Sequence, residues 1–534
     1  MIPALYPDLL LILPEIVILL TGSIILINGV TTRSYNITHI ISLIGASLAL
    51  IIKFALIYIY SYQLETSYSS IFNGTLVSNK LESLFSVIFL ISLIASLNLI
   101  KVYKNKITNY KSEFYGMLFY STSGMMLLAR SNEMITAYVA LELTTLPLIG
   151  LVSLGKSYLS KESAIKYLIL SAVSTSFFLL GAVYIYALTG TTFISSATDI
   201  GINIHYGNIF QGLTYSQVDM PSDIYTPITF LDISNIVIII SMIFIFIGLL
   251  FKLGVFPFHS WIPDVYEGAP TPITMFLSVA SKSAGLAILL RILLSIFDVK
   301  DVSNDTWNNT LNWPDIGMSL AIMSVFTMFI GNILAIRQTS IKRMLGYSSI
   351  AQAGYLLIGI VSIISSKTTS DATYVSSVLV AYVLGYMFTN ISAFYSIISM
   401  QQNRDTYNFN DFSGYGRIQI VNSLVLSTAM LSLIGIPPTI GFITKLFLFS
   451  SGISAGYSWL IIIALINSVI SSYYYLRVIK HLYLVSNEDN LKIENSNTNF
   501  SIFGLILLII VLAFGFYPDP IYNFCYDAIS SVIN

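Results

Sequence analysis

The sequence predicts an all-α polytopic membrane protein with about 14 transmembrane helices, arranged as two inverted five-helix repeats, spans 4–8 and 9–13. Three observations predict it. Of 534 residues, 55% are hydrophobic and only 10% charged, and the mean hydropathy is +0.80; a soluble surface needs roughly a quarter of its residues charged. Apolar segments of roughly 20 residues recur along the chain, the length that crosses about 30 Å of hydrocarbon. Two of them, the seventh and the twelfth, carry glycine and proline in their interiors.

The same composition excludes several classes of function. Basic and acidic residues number 25 and 26, so net charge gives no reason to expect nucleic acid as a partner. Cys525 stands alone, which rules out an internal disulfide framework or a thiolate-held cluster. His39, His205, His259 and His481 are scattered, with no ligand-pair spacing. No phosphate-cradling or dinucleotide fingerprint occurs. The N-terminus lacks a basic region and a small-residue cleavage site, so the first apolar segment is expected to remain as a span.

Taken in order, the first three apolar windows are 8–29, 38–60 and 82–100. Windows 114–129, 134–155, 164–188, 234–260 and 271–296 form spans 4–8. Windows 316–336, 346–365, 373–400, 420–452 and 456–477 form spans 9–13, and 501–518 is the last. An even count puts both termini on one side. Odd-numbered loops hold Arg33, Lys101, Lys104, Lys106, Lys111, Lys156, Lys161, Lys166, Arg337, Lys342, Arg343, Arg404, Arg417, Arg477, Lys480 and Lys492. Even-numbered loops hold Lys80, Arg130, Lys300 and Lys367. A bias of about four to one is a positive-inside signal and places the termini outside. Two longer loops, 61–81 and 189–233, then fall on the outer side; the second carries Asp199, Asp219, Asp223 and Asp232. They read either as surfaces that pack against neighbouring chains or as lineage-specific insertions.

Span 7 contains Gly248, Gly254 and Pro257, and span 12 contains Gly435, Pro437, Pro438 and Gly441. Proline removes a backbone donor and crowds the preceding turn, so both helices are expected to break. Bare backbone at membrane depth is tolerated only inside protein or beside a hydrated cavity. The two spans are five apart and therefore run in opposite senses, which suggests an inverted repeat with a pathway at the midplane.

Four ionisable residues lie deep in these windows: Glu142 in the fifth, Lys252 in the seventh, Lys282 in the eighth and Lys445 in the twelfth. Each central charge costs about 2.5–3.5 kcal/mol to insert, so such groups must face the bundle interior, pair, or go neutral. Glu142 and Lys252 are the natural pair. A lysine balanced between desolvation and a nearby carboxylate can release its proton when the partner moves. Lys53 and Arg291 are expected to snorkel to an interface, because their stems are long. His259 reads as a proton carrier or as a structural imidazole. Tyr347, Ser348, Ser349, Gln352 and Tyr355 on the tenth span offer hydroxyl and amide positions for a water chain or for ordinary interhelical bonds.

Three stretches carry a resemblance: FPFHSWIPDVYEGAPTPIT at 256–274, IKRMLGYSSIAQAGY at 341–355 and GIPPTIGFITKLF at 435–447. Together they resemble the antiporter-like subunits of respiratory NADH:ubiquinone oxidoreductase (complex I), over about residues 110–480. Lysine at 445, lysine at 282 and a chain that stops soon after its last span resemble the subunit 2 (chain N) branch. The resemblance implies an N-terminal three-helix segment (1–110), a first antiporter-like repeat (111–300, with the external loop 189–233), a second (301–480) and a C-terminal loop and last helix (481–534).

The resemblance further implies a proton relay of Glu142, Lys252, Lys282 and Lys445, the last facing the next antiporter-like subunit. His259, Tyr347, Ser348, Gln352 and Tyr355 would be possible relays, and Gly254, Pro257, Pro437 and Pro438 the helix breaks. Gln352 stands where some family members have histidine, so a water-mediated step is expected there. No cofactor is expected in this chain; NADH, FMN, iron–sulfur clusters and ubiquinone would sit in other subunits. Expected partners are neighbouring membrane-arm subunits and lipids. The chain would be a non-redox subunit of an H+-translocating NADH:ubiquinone reductase. The resemblance and the Ile, Tyr, Asn and Ser content point to a mitochondrial inner membrane, with termini in the intermembrane space. The alternatives are a subunit of a multi-subunit cation/proton antiporter with no redox partner, or a non-pumping scaffold.

Overall fold

The computed structural model describes residues 8–31, 35–63, 68–103, 111–155, 157–194, 197–198, 205–206, 230–295, 313–401, 407–485 and 498–533. Asp199, Asp219 and Asp223 lie outside the described residues, as do Arg33, Lys104, Lys106, Lys156, Lys300, Arg404 and Lys492. The chain is helical because hydrocarbon offers no partner to a bare amide, and a helix satisfies its own backbone.

In chain order the helices are α1 (Leu13–Thr31), α2 (Tyr35–Gln63), α3 (Lys80–Tyr103), α4 (Lys111–Arg130), α5 (Met134–Ser153) and α6 (Tyr158–Thr189). Next come α7 (Phe230–Leu253), the two-turn α8 (Trp261–Gly268) and α9 (Thr271–Ser295). The second half has α10 (Trp313–Ile336), α11 (Ile341–Ile364), α12 (Thr369–Met400), α13 (Ile420–Ile434), α14 (Ile440–Ser454) and α15 (Ser458–Tyr483). Then follow α16 (Thr498–Phe516) and α17 (Asp519–Ile533). Among the described residues ten helices are long and apolar enough to cross a membrane, or up to 11 if one bent pair counts as a span. The expected count of about fourteen also includes α4 and the two broken spans, whose pieces are shorter (239–253, 420–434 and 440–454).

The centre of the bundle is set by burial. All of the apolar stretch of α9 is buried and 94% of those of α11 and α12, against 28% for α1 and α2. The peripheral helices therefore present their apolar sides outward, as lipid-facing helices must. Of the expected site residues, Lys282 lies on α9 and Ser348, Gln352 and Tyr355 on α11, while Glu142, Lys252 and Lys445 lie on α5, α7 and α14.

Both expected breaks are present, and they share one local design. Gly254 (φ +76°) ends α7, with its N–H on Leu250 O at 2.9 Å and the Val255 N–H on the same oxygen at 3.1 Å. Gly435 (φ +92°) ends α13, with its N–H on Leu431 O at 3.0 Å and the Ile436 N–H also there at 3.1 Å. A left-handed residue after a helix suits glycine, which has no Cβ to clash. The Phe256–Pro257 and Pro437–Pro438 peptide bonds that follow are cis. Backbone bared at the first break is satisfied locally: Phe256 N–H donates to Thr327 Oγ1 at 3.1 Å, and Trp261 Nε1–H to Phe251 O at 3.1 Å.

Within the expected 61–81 loop, residues 68–79 fold as a hairpin at one end of the bundle, β1 (Tyr68–Ile71) against β2 (Leu76–Asn79). Asn132 N–H donates to Thr75 O at 2.9 Å, and Ile194 N–H to Asn132 O at 2.7 Å. The hairpin, the α4–α5 turn and residues 192–194 are thus knitted together. The amphipathic α17 packs near the same hairpin and is bent 80° from the helix before it. Polar residues interleave along Asp519–Ile533, so its apolar stripe gives no span-length window in the sequence.

Candidate functional site

Lys252 sits in the last turn of α7, two residues before Gly254, and is 3% exposed. Its Nζ donates to Thr144 Oγ1 of α5 at 3.3 Å. That hydroxyl donates its own proton to Leu141 O at 2.6 Å, leaving its lone pairs to the ammonium. Helix α9 can pass close by because Gly285 has no side chain; a Cβ there would lie 2.9 Å from Lys252 Cβ.

Lys282 begins the α-helical second half of α9, after a π-helical turn at Leu277–Ser281. A π-turn widens a helix locally and often marks a functional position. Lys282 is buried, and its Nζ donates to the Ser349 carbonyl of α11 at 2.6 Å.

Lys445 lies in the second turn of α14 and folds back across the break. Its Nζ donates to Leu433 O at 2.7 Å and Ile434 O at 3.1 Å, at the carbonyl end of α13, where the helix dipole favours a cation. The Tyr355 ring faces the same ammonium, 4.8 Å from Nζ to centroid. Gln352 reaches the same carbonyl, its Nε2 donating to Leu433 O at 3.3 Å, while the Tyr382 hydroxyl donates to Gln352 Oε1.

The remaining expected positions divide. Glu142 is half-buried and its carboxylate acts electrostatically on Lys252 without an ion-pair contact; the hydrogen bond from that lysine goes to Thr144, two residues further on. His259 is half-buried in the turn between α7 and α8, packed against Phe256 at 5.7 Å between ring centroids. Tyr347 is half-buried beside Arg343, two residues before Ser349, whose carbonyl holds Lys282. Ser348 donates to Leu345 O at 2.8 Å within its helix, and Tyr475 of α15 lies beside both Ser348 and Gln352.

Two expectations fail. Lys53 does not snorkel: it is 1% exposed, with Nζ at 2.8 and 2.9 Å from the two oxygens of Glu82. Arg291 does not reach an interface either; it is 2% exposed and its Nη2 donates to Ala129 O at 2.7 Å. Both have partners inside the protein, which makes the trip to water unnecessary. The Lys53 pair extends into a neutral quartet. Arg130 Nε lies 2.6 Å from Glu15 Oε1 and 3.2 Å from Glu82 Oε1, and its Nη2 donates to Leu11 O at 2.8 Å. Two acids inside or at the edge of apolar windows, matched by two bases, were the available signal.

The carboxylates of the PDVYEGAP motif tie elements together. Asp264 of α8 lies 2.8 Å from Lys166 of α6 and 3.2 Å from Arg343 of α11, and Glu267 lies 2.6 Å from Arg343. Lys342 Nζ adds donations to Glu267 O at 3.2 Å and Ala269 O at 2.7 Å. The short helix after the first break is thereby anchored to both neighbours.

Chemically, Lys252, Lys282 and Lys445 share one state. Each is a buried amine held by a hydroxyl or by backbone carbonyls, with no ion pair among the described residues. Such an amine keeps its proton through neutral dipoles and gives it up once a better acceptor arrives. Among the described residues no group of His, Cys, Asp and Glu could hold a metal ion.

Residues 131–471 match the membrane family described as NADH:quinone oxidoreductase/Mrp antiporter, transmembrane. The chain is 33% identical over 532 residues to NADH-quinone oxidoreductase subunit N of Trichlorobacter lovleyi, covering 98% of each. Its fold is similar to a chain of respiratory complex I from Thermus thermophilus solved with bound aureothin. There the TM-score is 0.73 at 24% identity, covering 96% of this chain and 98% of that one. It is also similar to a chain of the Mrp complex from Dietzia sp., with TM-score 0.77 at 15% identity, covering 99% and 97%.

Proposed function

Because the chain belongs to the transmembrane family of NADH:quinone oxidoreductases and Mrp antiporters, we propose that it is a proton-translocating subunit of the membrane arm of an NADH:quinone oxidoreductase. Protons move through Glu142, Lys252, Lys282 and Lys445, while NADH oxidation and quinone reduction take place in other subunits. The observation that carries the reading is the three buried lysines without ion-pair partners among the described residues, two of them at interrupted helices.

The finer architecture belongs to the same proposal. Two five-helix repeats, within about fourteen spans, are supported by the similar glycine caps at Gly254 and Gly435. Lys252 lies two residues beyond the carbonyl that Gly254 caps, and Leu433 holds the matching place before Gly435. The Lys445 ammonium reaches that same place by folding back onto the Leu433 carbonyl. The sites are thus alike although their lysines stand on opposite sides of the break. This pairing supports two repeats, for which we keep the limits 111–300 and 301–480. His259, Tyr347, Ser348, Gln352 and Tyr355 would assist transfer between the lysines.

The relative named above is bacterial and lends a mitochondrial inner membrane no support. The proposal is therefore an energy-transducing membrane, with both termini on its outer face as the basic-residue bias requires. NADH, FMN, iron–sulfur clusters and ubiquinone belong to partner subunits.

The test is NADH-driven proton uptake by vesicles carrying the assembled complex. Glu142→Ala or Lys252→Ala should reduce protons moved per NADH oxidised, with assembly retained. Normal stoichiometry in an assembled mutant would remove that residue from the relay. The fold likeness to an Mrp complex keeps a second reading in view, a cation/proton antiporter subunit without a redox partner. Purification free of flavin and iron–sulfur proteins would favour that reading.

A further inference from the structure

The second break holds a feature that the relay itself does not require. Two donors converge on one acceptor, the Leu433 carbonyl: Lys445 Nζ at 2.7 Å and Gln352 Nε2 at 3.3 Å. All the side chains involved are buried, Gln352 and Tyr382 at 3% exposure and Lys445 at 5%. A carbonyl has two lone pairs and accepts both, but each donor weakens its hold on the other, and the amide hydrogens repel the ammonium. The orientation of the amide is not arbitrary. A carbonyl can only accept, so the nitrogen of Gln352 must face it, and the oxygen end then receives the Tyr382 hydroxyl.

We propose that Gln352, held in this orientation by Tyr382, is a positioning residue that sets the proton affinity of Lys445 by sharing the Leu433 carbonyl with it. The inference rests on the reading of Lys445 as a proton carrier. When Lys445 is charged, the amide competes for the carbonyl and lowers the cost of losing the proton. When the amine is neutral, it becomes an acceptor, and the same amide N–H can turn to it. Gln352 thus favours release without itself titrating, a role open to glutamine and closed to an aliphatic side chain.

The other groups around Lys445 do not supply this bias. Tyr355 of α11, Tyr382 of α12 and Tyr475 of α15 bring phenols to this region. Along α13 (Ile420–Ile434) and α16 (Thr498–Phe516) the sequence has no ionisable side chain, and α14 has only Lys445. Among the described residues no carboxylate pairs with Lys445, and Lys282 is held by Ser349 O, one turn before Gln352. The carbonyls and the Tyr355 ring favour the ammonium, and the competing amide is the neighbouring group that opposes it.

The test uses the assembled complex in sealed vesicles, with protons moved per NADH oxidised measured across pH. Gln352→Met removes the competing donor with little change of volume, so the Leu433 carbonyl serves Lys445 alone. The alkaline limb of the pumping profile should move up by about half a pH unit, a fraction of the worth of one hydrogen bond to a charged group, because an existing bond is strengthened and none is added. Tyr382→Phe frees the amide to turn its oxygen toward the ammonium and should move the limb in the same direction. It also carries the test if Gln352→Met does not assemble. A profile superimposable on the parent, or one displaced toward acid, in either assembled variant overturns the proposal. Lys445→Met separates the two readings. If it abolishes pumping while Gln352→Met leaves the profile in place, only the positioning role falls; if it pumps normally, Lys445 is no carrier and both fall.

Discussion

Lys53 and Glu82 form a two-pronged ion pair at 2.8 and 2.9 Å, with side chains 1% and 0% exposed. The pair joins α2 to α3, and through Arg130 and Glu15 it joins both to α4 and α1. Its members balance in charge, which is the condition for keeping four ionised groups out of water. Breaking one partner strands a charge. Lys53→Met should therefore lower stability by about 3–5 kcal/mol, read as earlier loss of the assembled complex on heating. The double variant Lys53→Met with Glu82→Gln restores neutrality and should recover most of that loss; a double variant as unstable as the single one would contradict the account.

Thr144 gives a finer probe of Lys252, because its hydroxyl proton is already committed to Leu141 O at 2.6 Å. It can only accept from the lysine. Thr144→Val keeps the shape and removes the acceptor, so the charged form of Lys252 loses a hydrogen bond. The sign follows: a proton less firmly held is lost at lower pH, and the pH profile of pumping should shift toward acid by about half to one unit. An alkaline shift would mean that the hydroxyl donates to a neutral amine instead.

Much of this arrangement was legible in the sequence, for physical reasons. Lys252, Lys282 and Lys445 stand out because a cation within an apolar window must have a cause, and Gly254, Pro257 and Pro438 stand out because glycine weakens a helix and proline breaks one. What they touch was not legible. Glu142 stood out as the charge acting on Lys252, but the threonine hydroxyl that makes the hydrogen bond did not, since orientation about the helix axis depends on packing. Lys53 looked able to snorkel because its partner Glu82 is 29 residues away, at the margin of another window. The backbone carbonyls that hold Lys282 and Lys445 leave no trace in a list of side chains. Helix α17 and the hairpin were missed because neither depends on a continuous apolar run.

Gly285 tests how closely the two central lysine helices must approach. An added Cβ would lie 2.9 Å from Lys252 Cβ, nearer than side-chain carbons normally come. Gly285→Ala should displace the lysine stem at a cost of about 1–3 kcal/mol, the usual penalty of overpacking. The expected result is an assembled complex that oxidises NADH but moves fewer protons for each one. Full pumping by Gly285→Ala would show that Lys252 tolerates displacement and that its contact with Thr144 is incidental.

The carboxylates of α8 invite the opposite expectation. Asp264 and Glu267 hold Lys166 and Arg343 at 2.6–3.2 Å, but the side chains are 27–44% exposed. Water and salt screen such pairs, and each contributes on the order of 0.2–1 kcal/mol. Global stability of Asp264→Asn should therefore change little. The local consequence is larger, because α8 has only eight residues and follows a break, so little of its own helical bonding resists fraying. Hydrogen exchange along Trp261–Gly268 should quicken in Asp264→Asn while exchange in α9 stays slow, and raising the salt should produce part of the same change in the parent. Equal loosening of α8 and α9 would instead mean that the motif braces the whole core.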